Sequence, residues 1–434
     1  MSGSDWLEAL VAPAGAELLG RLAGEVLTPE TELRVGARLR RDYPAELVSA
    51  ALAQHELRRH AREKFTRAER MFFTRAGLEQ ATAEVVARHR AARFAGVARV
   101  GDLCCGIGGD LIALASQQDV IAVDRDPLHL RMAMLNAEAY AVAEAVTAVH
   151  ADVREVDLRD IDAVFVDPAR RTQDSRTQGS RTQGSRTQGS RTQGSRIQGS
   201  RTQGSRVQGS GAQGSRMRAG ASEPPLSWAT SLVERVAAVG IKAAPGIARD
   251  AVPPGWEVEF IADRRNLKEA ALWSPALATA TSRATILPAG HMLLPLPGHQ
   301  VQHRDPGAFL LDPNPAVTRA GLVEDLARGL GAWKIDPQIA FLSSDVALRT
   351  PFARTLRVLD SRPWDQKALP SRLWALDIGS VDIRRRGLAG NVENLHRRLK
   401  LRGTRRATLV MTRVEDRPWA LICVDLPPPT ELLS

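Results

Sequence analysis

The sequence predicts an α/β protein built on a doubly wound, mostly parallel sheet. Short apolar runs typical of strands alternate with amphipathic runs typical of helices over residues 98–166. The first of these strands passes into a loop of small residues, as in open sheets that bind ligands at their strand ends. Helical periodicity before this region and mixed periodicity after it indicate three domains, at residues 1–66, 67–300 and 301–434.

The N-terminal domain is expected to be helical. Apolar residues recur at three- and four-residue spacing through residues 6–65, as in Leu47, Ala51 and Leu52. Pro29 and Pro44 should divide this stretch into short helices. The exposed face of such a domain would either pack on its neighbour or contact substrate.

A further helix is predicted to lead into the first strand of the sheet. Thr74 stands at the position of an N-cap, and Leu78 and Val85 lie on one face of a helix that continues to Phe94. Residues 98–103 then form the first strand.

Acids close the first two strands. Asp102 opens a loop that contains Gly106, Gly108 and Gly109, and Asp124 follows the second strand. Glycines allow a sharp turn and close approach to a ligand, and a carboxylate after the second strand suits the hydroxyls of a ribose. The expected ligand is therefore a cofactor that contains a nucleoside.

The charge of the loop distinguishes between such cofactors. A nicotinamide dinucleotide would place its pyrophosphate at the helix N-terminus, where Asp102 would repel it. S-adenosylmethionine carries an ammonium, a ribose and a sulfonium, all of which suit acids on both strands. The neighbouring Cys104 and Cys105 are interpreted as small packing residues, because three cysteines cannot form a disulfide framework.

The rest of the sheet follows the same alternation. A helix over residues 127–137 precedes a third strand at 146–150, after which Asp152 could accept from the exocyclic amine of adenine. The fourth strand ends in the sequence DPARR, residues 167–171. Later elements are predicted as a helix at 226–239, a fifth strand with its exit loop at 240–246, and strands at 256–262, 269–273 and 284–287, which would complete a seven-stranded sheet.

A pentamer repeat similar to GSRTQ interrupts the chain at residues 172–213. It offers no apolar surface to bury, so we expect a disordered insertion over 172–222, either passive or in nonspecific contact with RNA. Nine arginines and no acid lie between Arg176 and Arg218, so the formal charge of +10 falls to +10 − 9 = +1 without them. The basic composition alone is therefore no argument for nucleic acid.

The C-terminal third is expected to be α+β, with a basic surface. The periodicity predicts helices at 320–330 and 391–401, and strands at 374–378, 381–386, 407–414 and 419–426. Nine Lys or Arg residues lie from Arg384 to Arg406, against the single acid Glu393. Such a cluster on folded elements either binds phosphates or is a solvated helix face.

Several of these segments resemble a known family. The run FTRAGLEQATAEVVARHRAARF, followed by DLCCGIGGDLIALA, VIAVDRDPLHLRMAMLNAEAY and DAVFVDPARR, resembles the class I methyltransferases of the trimethylguanosine synthase-like group, which are RNA cap guanine-N2 methyltransferases. The run RRRGLAGNVENLHRRLKLRGTRRATLVMTRV is similar to the THUMP-like domain of its bacterial members. The resemblance covers most of the chain outside the pentamers and implies a Rossmann-like, seven-stranded sheet that binds S-adenosylmethionine.

The resemblance also implies roles for individual residues. Those expected to bind the cofactor are Thr74, Asp102, Cys104, Gly106, Gly108, Gly109, Asp124, Arg125 and Asp152. Those expected to bind the substrate are Arg170, Arg171, Arg397, Arg398 and Arg402. The catalytic motif, usually [DNS]PP followed by an aromatic, falls on Asp167 and Pro168, with Ala169 and Arg170 replacing its last two positions. Stacking on the acceptor base would then pass to Arg170, or to Phe72, Phe73 or Trp273.

The expected function is S-adenosylmethionine-dependent methylation of a purine exocyclic amine, with guanine N2 favoured, in tRNA or rRNA gripped by the C-terminal domain. The alternatives are a methyltransferase of a small molecule or protein, and a noncatalytic RNA-binding protein that keeps the fold. Cysteine-dependent pyrimidine methylation is disfavoured because no cysteine follows the fourth or fifth strand. We expect a cytoplasmic protein without a membrane span, since long apolar runs and a signal peptide are lacking. No metal is expected, because the histidines lack metal-ligand spacing. The protein is expected to be a monomer.

Overall fold

The structure is a computed structural model that describes residues 5–170, 222–388 and 392–426. The pentamer repeat at 172–213 and Arg171 lie outside the described residues. No helix in the described part of the chain is both long and apolar enough to cross a membrane.

Four helices form the N-terminal unit, in agreement with the prediction. They are α1 (Asp5–Val11), α2 (Pro13–Leu22), α3 (Pro29–Leu39) and α4 (Ala45–Ala61). Leu10, Leu18 and Val48 are fully buried between them. The Thr28 side chain caps α3, which begins at Pro29, and α4 begins directly after Pro44, so both predicted breaks are confirmed.

The helix predicted from Thr74 to Phe94 is in fact two helices. These are α5 (Arg75–Gln80) and α6 (Glu84–Ala91). Thr74 caps α5, as predicted, by accepting from the Gly77 amide at 2.9 Å. The chain leaves the helical conformation at Ala81, with ψ at 137°. This break turns Thr82 inward, where its hydroxyl donates to Asp110 at 2.9 Å, and apolar periodicity alone does not predict it.

The central sheet contains the predicted strands. Along the chain, the elements from here to residue 293 are β1 (Arg99–Leu103), α7 (Leu111–Ala115), β2 (Asp119–Asp124), α8 (Pro127–Ala139), β3 (Val146–His150), β4 (Ala163–Val166), β5 (Ala169–Arg170), β6 (Ser222–Glu223), α9 (Leu226–Ser231), β7 (Ala238–Ala243), β8 (Glu257–Asp263), β9 (Asn266–Trp273), β10 (Ser282–Leu287) and β11 (His291–Leu293). Within the described residues, nine of these strands form one sheet in the order β3-β2-β1-β4-β7-β9-β8-β10-β11.

Parallel pairing brings the functional strand ends together. Strands β3, β2, β1, β4 and β7 are parallel, whereas β9 runs antiparallel to both β7 and β8. All eight predicted strands are present in this sheet, one more than the seven expected of a Rossmann-like sheet, and β11 is a ninth strand at its edge. The carboxyl ends of β1, β2, β4 and β7 meet at one edge, where ligands bind in such sheets.

The helix predicted over 226–239 is shorter than expected. Helix α9 ends at Ser231, and β7 begins at Ala238. Val239 is fully buried, pairs with Val164 of β4 and donates its amide to Ser274 Oγ at 2.9 Å. Tertiary pairing therefore overrides an apolar pattern that also suits a helix.

A second sheet follows, as expected for an α+β unit. Its elements are β12 (Phe309–Pro313), α10 (Pro315–Ala320), α11 (Val323–Leu330), β13 (Trp333–Lys334), β14 (Leu342–Ser344), β15 (Ala353–Pro363), α12 (Leu369–Ala375), β16 (Ile378–Arg385), α13 (Val392–Arg398), β17 (Arg405–Val414) and β18 (Arg417–Asp425). In the described ranges its strand order is β13-β14-β12-β15-β18-β17-β16.

Two predictions in this region are wrong in detail. Gly321 has φ of +73° and ends α10, so residues 320–330 do not form one helix. Trp374 lies on α12 and not on a strand, because Leu369 and Leu373, one helical turn apart, are both fully buried. The strand begins only after Asp377.

The two sheets share a core. Leu311 and Val317, from the second unit, belong to the same buried cluster as Phe260 of β8. Asn314 donates its side-chain amide to the Arg264 carbonyl at 2.7 Å, and Arg265 lies 3.1 Å from Asp312. Helix α10 therefore fastens the C-terminal sheet to β8 and β10.

Candidate functional site

The glycine loop is strapped against the second strand and against α8. The amides of Cys104 and Cys105 both donate to the Val123 carbonyl, at 2.9 and 3.0 Å. Gly108 has φ of +90°, and a Cβ there would lie 3.2 Å from Ala133 Cα. A glycine is thus required at Gly108 both by conformation and by space.

The loop is also held by Asn136, a residue that sequence reasoning missed. This fully buried side chain donates to the Ile107 carbonyl at 2.8 Å and to the Phe72 carbonyl at 3.1 Å, and it accepts from the Phe72 amide at 2.7 Å. It ties the loop, α8 and the segment before Thr74 together. An amide inside the apolar helix run MAMLNAEA was the available signal.

Asp102 is fully buried, and neither carboxylate oxygen has a hydrogen-bond partner in the described residues. Burial raises the pKa of Asp102 well above its usual value, and the nearby charges of Asp110 and Asp167 raise it further, whereas Arg90 lowers it. An unsatisfied buried carboxylate costs free energy. A ligand that brings a positive charge or hydrogen-bond donors to this loop would remove that cost.

Asp124 is oriented by the backbone at the end of β2. Its Oδ2 accepts from the Gly106 amide at 2.8 Å, and its Oδ1 accepts from the Asp126 amide at 2.9 Å. A Cβ added at Gly106 would meet no atom within 4 Å, so the space beside this glycine is open. A half-buried carboxylate beside open space fits the hydroxyls of a ribose.

The other expected cofactor residues lie around this loop. Helix α5 touches it, since a Cβ at Gly77 would lie 2.7 Å from Ile107 Cγ2, and Thr74 Oγ1 is 3.4 Å from His129 Nε2. Arg125 is exposed directly after β2. Asp152 lies after β3, but its Oδ2 is paired with Arg154 at 3.1 Å.

The thiols are packing groups. Burial raises the pKa of both Cys104 and Cys105, and it raises the pKa of Cys423, on β18, to about 12. All three side chains therefore stay protonated at neutral pH.

Asp167 lies directly beside the glycine loop. The β1–β4 register places Leu103 opposite Val166, and the Asp167 amide donates to the Leu103 carbonyl at 3.1 Å. Its Oδ2 accepts from Lys242 Nζ at 2.6 Å. Pro168 follows, half-buried, so the structure brings the DP motif and the loop to the same sheet edge.

The residues on either side of the pentamer insertion pair with each other as a short two-stranded sheet. Ala169 pairs with Glu223 and Arg170 pairs with Ser222, both antiparallel. Arg154 also contacts Glu223. Ala169 and Arg170 of the DPAR sequence thus form one strand of this two-stranded ladder.

Two of the three aromatic candidates for base stacking are wrong. Phe73 and Trp273 are fully buried, and Trp273 donates its indole N–H to Glu259 at 2.9 Å. Phe72 is half-buried, with the Arg58 guanidinium 4.8 Å from its ring centroid. The pattern of the sequence places aromatic residues near the site but does not show which of their faces are free.

The C-terminal arginines form a separate exposed group. Arg397 and Arg398 lie at the end of α13, and Arg402 follows with its guanidinium 5.4 Å from the ring centroid of Trp374. The Trp374 indole is 43% exposed. Among the described residues, no hydrogen bond or ion pair links these arginines to Asp167 or to the glycine loop.

Family comparisons match three segments of the chain. Residues 97–184 match the model of the RNA cap guanine-N2 methyltransferases, and residues 353–424 match that of THUMP domain-like sequences. Residues 4–61 match a domain of unknown function. The two sequence resemblances are thereby confirmed.

Relatives extend over most of the chain. A crystal structure from Porphyromonas gingivalis, provisionally assigned as a methyltransferase, superposes with a TM-score of 0.71 over 98% of this chain and 100% of its own, at 20% identity, which confirms the fold. An uncharacterized S-adenosylmethionine-dependent methyltransferase of Mycobacterium tuberculosis, in two strains, is 34% identical over 353 residues, or 79% of this chain and 84% of its own length. The chain therefore belongs to the S-adenosylmethionine-dependent methyltransferases.

Proposed function

We propose that the protein methylates a purine exocyclic amine in tRNA or rRNA, with guanine N2 favoured. The observation that carries this proposal is the placement of Asp167 beside the donor loop with Oδ1 unengaged. Among the described residues, that oxygen accepts no hydrogen bond. It is thus available to accept from an amine N–H of the acceptor, and the match to the cap guanine-N2 model over residues 97–184 supports the same atom.

The residues of the loop fit the methyl donor. Asp102 would receive its ammonium, Asp124 its ribose hydroxyls and Asp152 its adenine, with Thr74, Cys104, Gly106, Gly108, Gly109 and Arg125 surrounding it. The orphaned buried carboxylate of Asp102 and the open space at Gly106 are the structural grounds for this assignment. When bound, S-adenosylmethionine supplies an activated methyl group, so the protein mainly has to place the acceptor nitrogen in line.

The acceptor side of the site relies on cations where related motifs use an aromatic. Arg170 and Arg171, which flank the start of the insertion, would stack on or pair with the nucleotide. Phe73 and Trp273 are excluded by burial, and the Arg58 guanidinium lies over the ring of Phe72. This proposal therefore selects Arg170 as the stacking residue.

RNA binding is assigned to the basic surface of the C-terminal sheet. Arg397, Arg398 and Arg402 are exposed, and the Arg402 guanidinium lies 5.4 Å from the ring centroid of Trp374, which is itself 43% exposed. Cations interleaved with an aromatic side chain suit a single-stranded segment, whose phosphates they neutralise and whose bases can stack. The match to THUMP domain-like sequences supports this role.

The same proposal includes the division into domains at residues 1–66, 67–300 and 301–434, a cytoplasmic location and a monomeric state. The family matches at 4–61 and 353–424 support the outer two units. In the described part of the chain, no group of three potential metal-ligating side chains occurs.

A methyl-transfer assay tests the function. RNA from a strain lacking the gene is incubated with purified protein and labelled S-adenosylmethionine, and nucleosides are identified by mass spectrometry. The expected product is N2-methylguanosine, and Asp167→Asn should lower transfer about 100-fold while leaving cofactor binding intact.

Other outcomes would select the alternatives. Label on a small molecule or protein and none in any RNA would replace the proposed acceptor. Cofactor binding by calorimetry without transfer to any pool would indicate a noncatalytic RNA-binding protein.

A further inference from the structure

Lys242 lies beside the acceptor motif, although no sequence motif marks it. Strand β7 pairs in parallel with β4, and the register places Ile241 opposite Val166. The next residues, Lys242 and Asp167, are therefore neighbours at the carboxyl ends of adjacent strands. A lysine within the apolar run AVGIKAA is unusual, because burying an ammonium is costly without a partner.

The ammonium of Lys242 is held from two sides. Its Nζ donates to Asp167 Oδ2 at 2.6 Å and to Thr82 Oγ1 at 3.0 Å. Thr82 in turn donates to Asp110 at 2.9 Å and accepts from Arg90 at 2.8 Å. This fixes the position of the ammonium relative to the protein core.

Burial makes the pairing with Asp167 effective. The side chains of Lys242 and Asp167 are only 17% and 28% exposed. Burial by itself lowers the pKa of Lys242, but the carboxylates of Asp167, Glu269 and Asp110 raise it above its usual value, against the opposing charge of Arg90. Lys64 also interacts electrostatically with Lys242, and its own ammonium donates to carbonyls at the end of α5. Lys242 is thus a permanent hydrogen-bond donor at neutral pH and not a base.

Neighbouring cations are not available to pair with Asp167 in place of Lys242. Arg90 is fully buried and is occupied by Asp110 and by Glu269, the latter at 2.6 Å. No other cation in the described residues lies within ion-pair distance of Asp167. Without Lys242, the Asp167 carboxylate would be free to rotate.

We propose that Lys242 is a positioning residue for methyl transfer, an inference that rests on the proposed function. Its ammonium occupies Oδ2 of Asp167 and leaves Oδ1 as the single oxygen that can orient the acceptor amine. In this role the lysine would act through Asp167 and not by its own contact with the acceptor or the methyl donor. Loss of that orientation is expected to affect turnover more than binding, because near-attack geometry is sensitive to small displacements.

A double-mutant cycle tests the coupling. Lys242→Gln should lower kcat about 100-fold, with little change in the KM for RNA or in cofactor affinity, whereas Lys242→Arg should retain more activity. In an Asp167→Asn background, Lys242→Gln should cost less than about twofold, because the group through which it acts is already changed. Equal costs in both backgrounds would overturn the proposal. Should Lys242→Gln fail to fold, Thr82→Val, which removes one of the two anchors, should give an intermediate loss of kcat in the same cycle.

A second measurement needs no acceptor and separates this inference from the proposed function. In protein labelled with ¹⁵N at the lysine side chains, the Lys242 resonance is assigned with Lys242→Arg. Asp167→Asn should lower the pKa of Lys242, whereas Asp152→Asn should leave it unchanged. If the pKa of Lys242 is the same in Asp167→Asn as in the wild type, the pairing itself is overturned. If the pKa falls in Asp167→Asn but the wild-type protein methylates no RNA, only the proposed function is refuted.

Discussion

Asp102 combines a structural cost with a proposed role in cofactor binding. It is fully buried and unpaired among the described residues, and burial raises its pKa well above the usual value. An acid whose pKa is raised on folding stabilises the folded state below the pKa of the unfolded chain, about 3.9. That contribution is lost as the pH rises toward the folded-state pKa.

Replacing this acid should therefore stabilise the ligand-free protein while weakening cofactor binding. Asp102→Asn is expected to raise the free energy of unfolding by about 1–3 kcal/mol at neutral pH, with the gain shrinking as the pH falls toward about 4. Its affinity for S-adenosylmethionine should fall by about tenfold to hundredfold, since a charged partner is removed. Denaturant titration at several pH values and calorimetry would measure both.

The control for this substitution is Asp119→Asn, an exposed acid at the other end of the same pair of strands. It should change neither quantity. An Asp102→Asn variant with unaltered affinity would show that the carboxylate does not face the cofactor.

At the scale of elements, two glycines of the glycine loop are expected to differ in role, one in folding and the other in cofactor binding. Gly108 is pressed on α8 with φ of +90°, whereas Gly106 has φ of +55° and open space around its Cα. A side chain at Gly108 would therefore clash with α8, whereas a side chain at Gly106 would enter the open space of the candidate cofactor site. The sequence motif does not distinguish the two positions.

Alanine at each position should distinguish these reasons. Gly108→Ala is expected to destabilise the fold by about 1–3 kcal/mol, because the strained conformation adds to the contact with Ala133. Gly106→Ala should cost only about 1 kcal/mol of stability but lower cofactor affinity, since its methyl group enters the open space. Thermal unfolding and calorimetry on both variants check this. A reversed ranking would contradict the assignment of Gly108 to packing and Gly106 to the cofactor site.

Strands β5 and β6 pair with each other at the two ends of the insertion. Because Ala169–Arg170 and Ser222–Glu223 already pair, deletion of residues 172–213 should leave the thermal midpoint and cofactor affinity unchanged. A longer deletion that removes residues 169–223 should damage both, because it takes away the ladder and the Arg154–Glu223 contact. A large loss of stability in the shorter deletion would show that the repeat packs on the fold.

At the scale of the whole molecule, a catalytic sheet is joined to a sheet with a basic surface. The shared core around Phe260, Leu311 and Val317 fastens the two. RNA bound near α13 would therefore have a fixed position relative to the glycine loop, because the two sheets are packed together and not joined by a flexible linker.

Charge reversal tests this arrangement. Replacing Arg397, Arg398 and Arg402 with Glu should weaken RNA binding and reduce the slope of log K against log salt by about 0.7 for each phosphate that the protein no longer neutralises. Cofactor affinity should not change. The matched control reverses Arg34, Arg38 and Arg41 of the helical N-terminal unit. Unchanged turnover on RNA after reversal of the first set would favour a small-molecule or protein substrate.

Residue patterns alone predicted the cofactor and located strands β1 to β4 along the chain. Alternation of apolar runs identifies each strand from β1 to β4, and the acids Asp102, Asp124 and Asp167 follow directly from where those runs end. Such signals are local, because a strand and the residue after it are adjacent in the chain. The helix break at residues 81–83 and the helical conformation of Trp374 were not predicted. Their apolar patterns suit both helix and strand or loop, and tertiary packing selects between them.

The distant side chains that complete the candidate site are identified by strand pairing and not by any local pattern. Lys242 is 75 residues from Asp167 in the chain, yet pairs with it because β4 and β7 are neighbours in the sheet. The exclusion of Phe73 and Trp273 as stacking groups likewise depends on burial, and no residue pattern reports which face of a side chain is covered. Contacts across the sheet depend on strand order and register, which a local pattern does not contain.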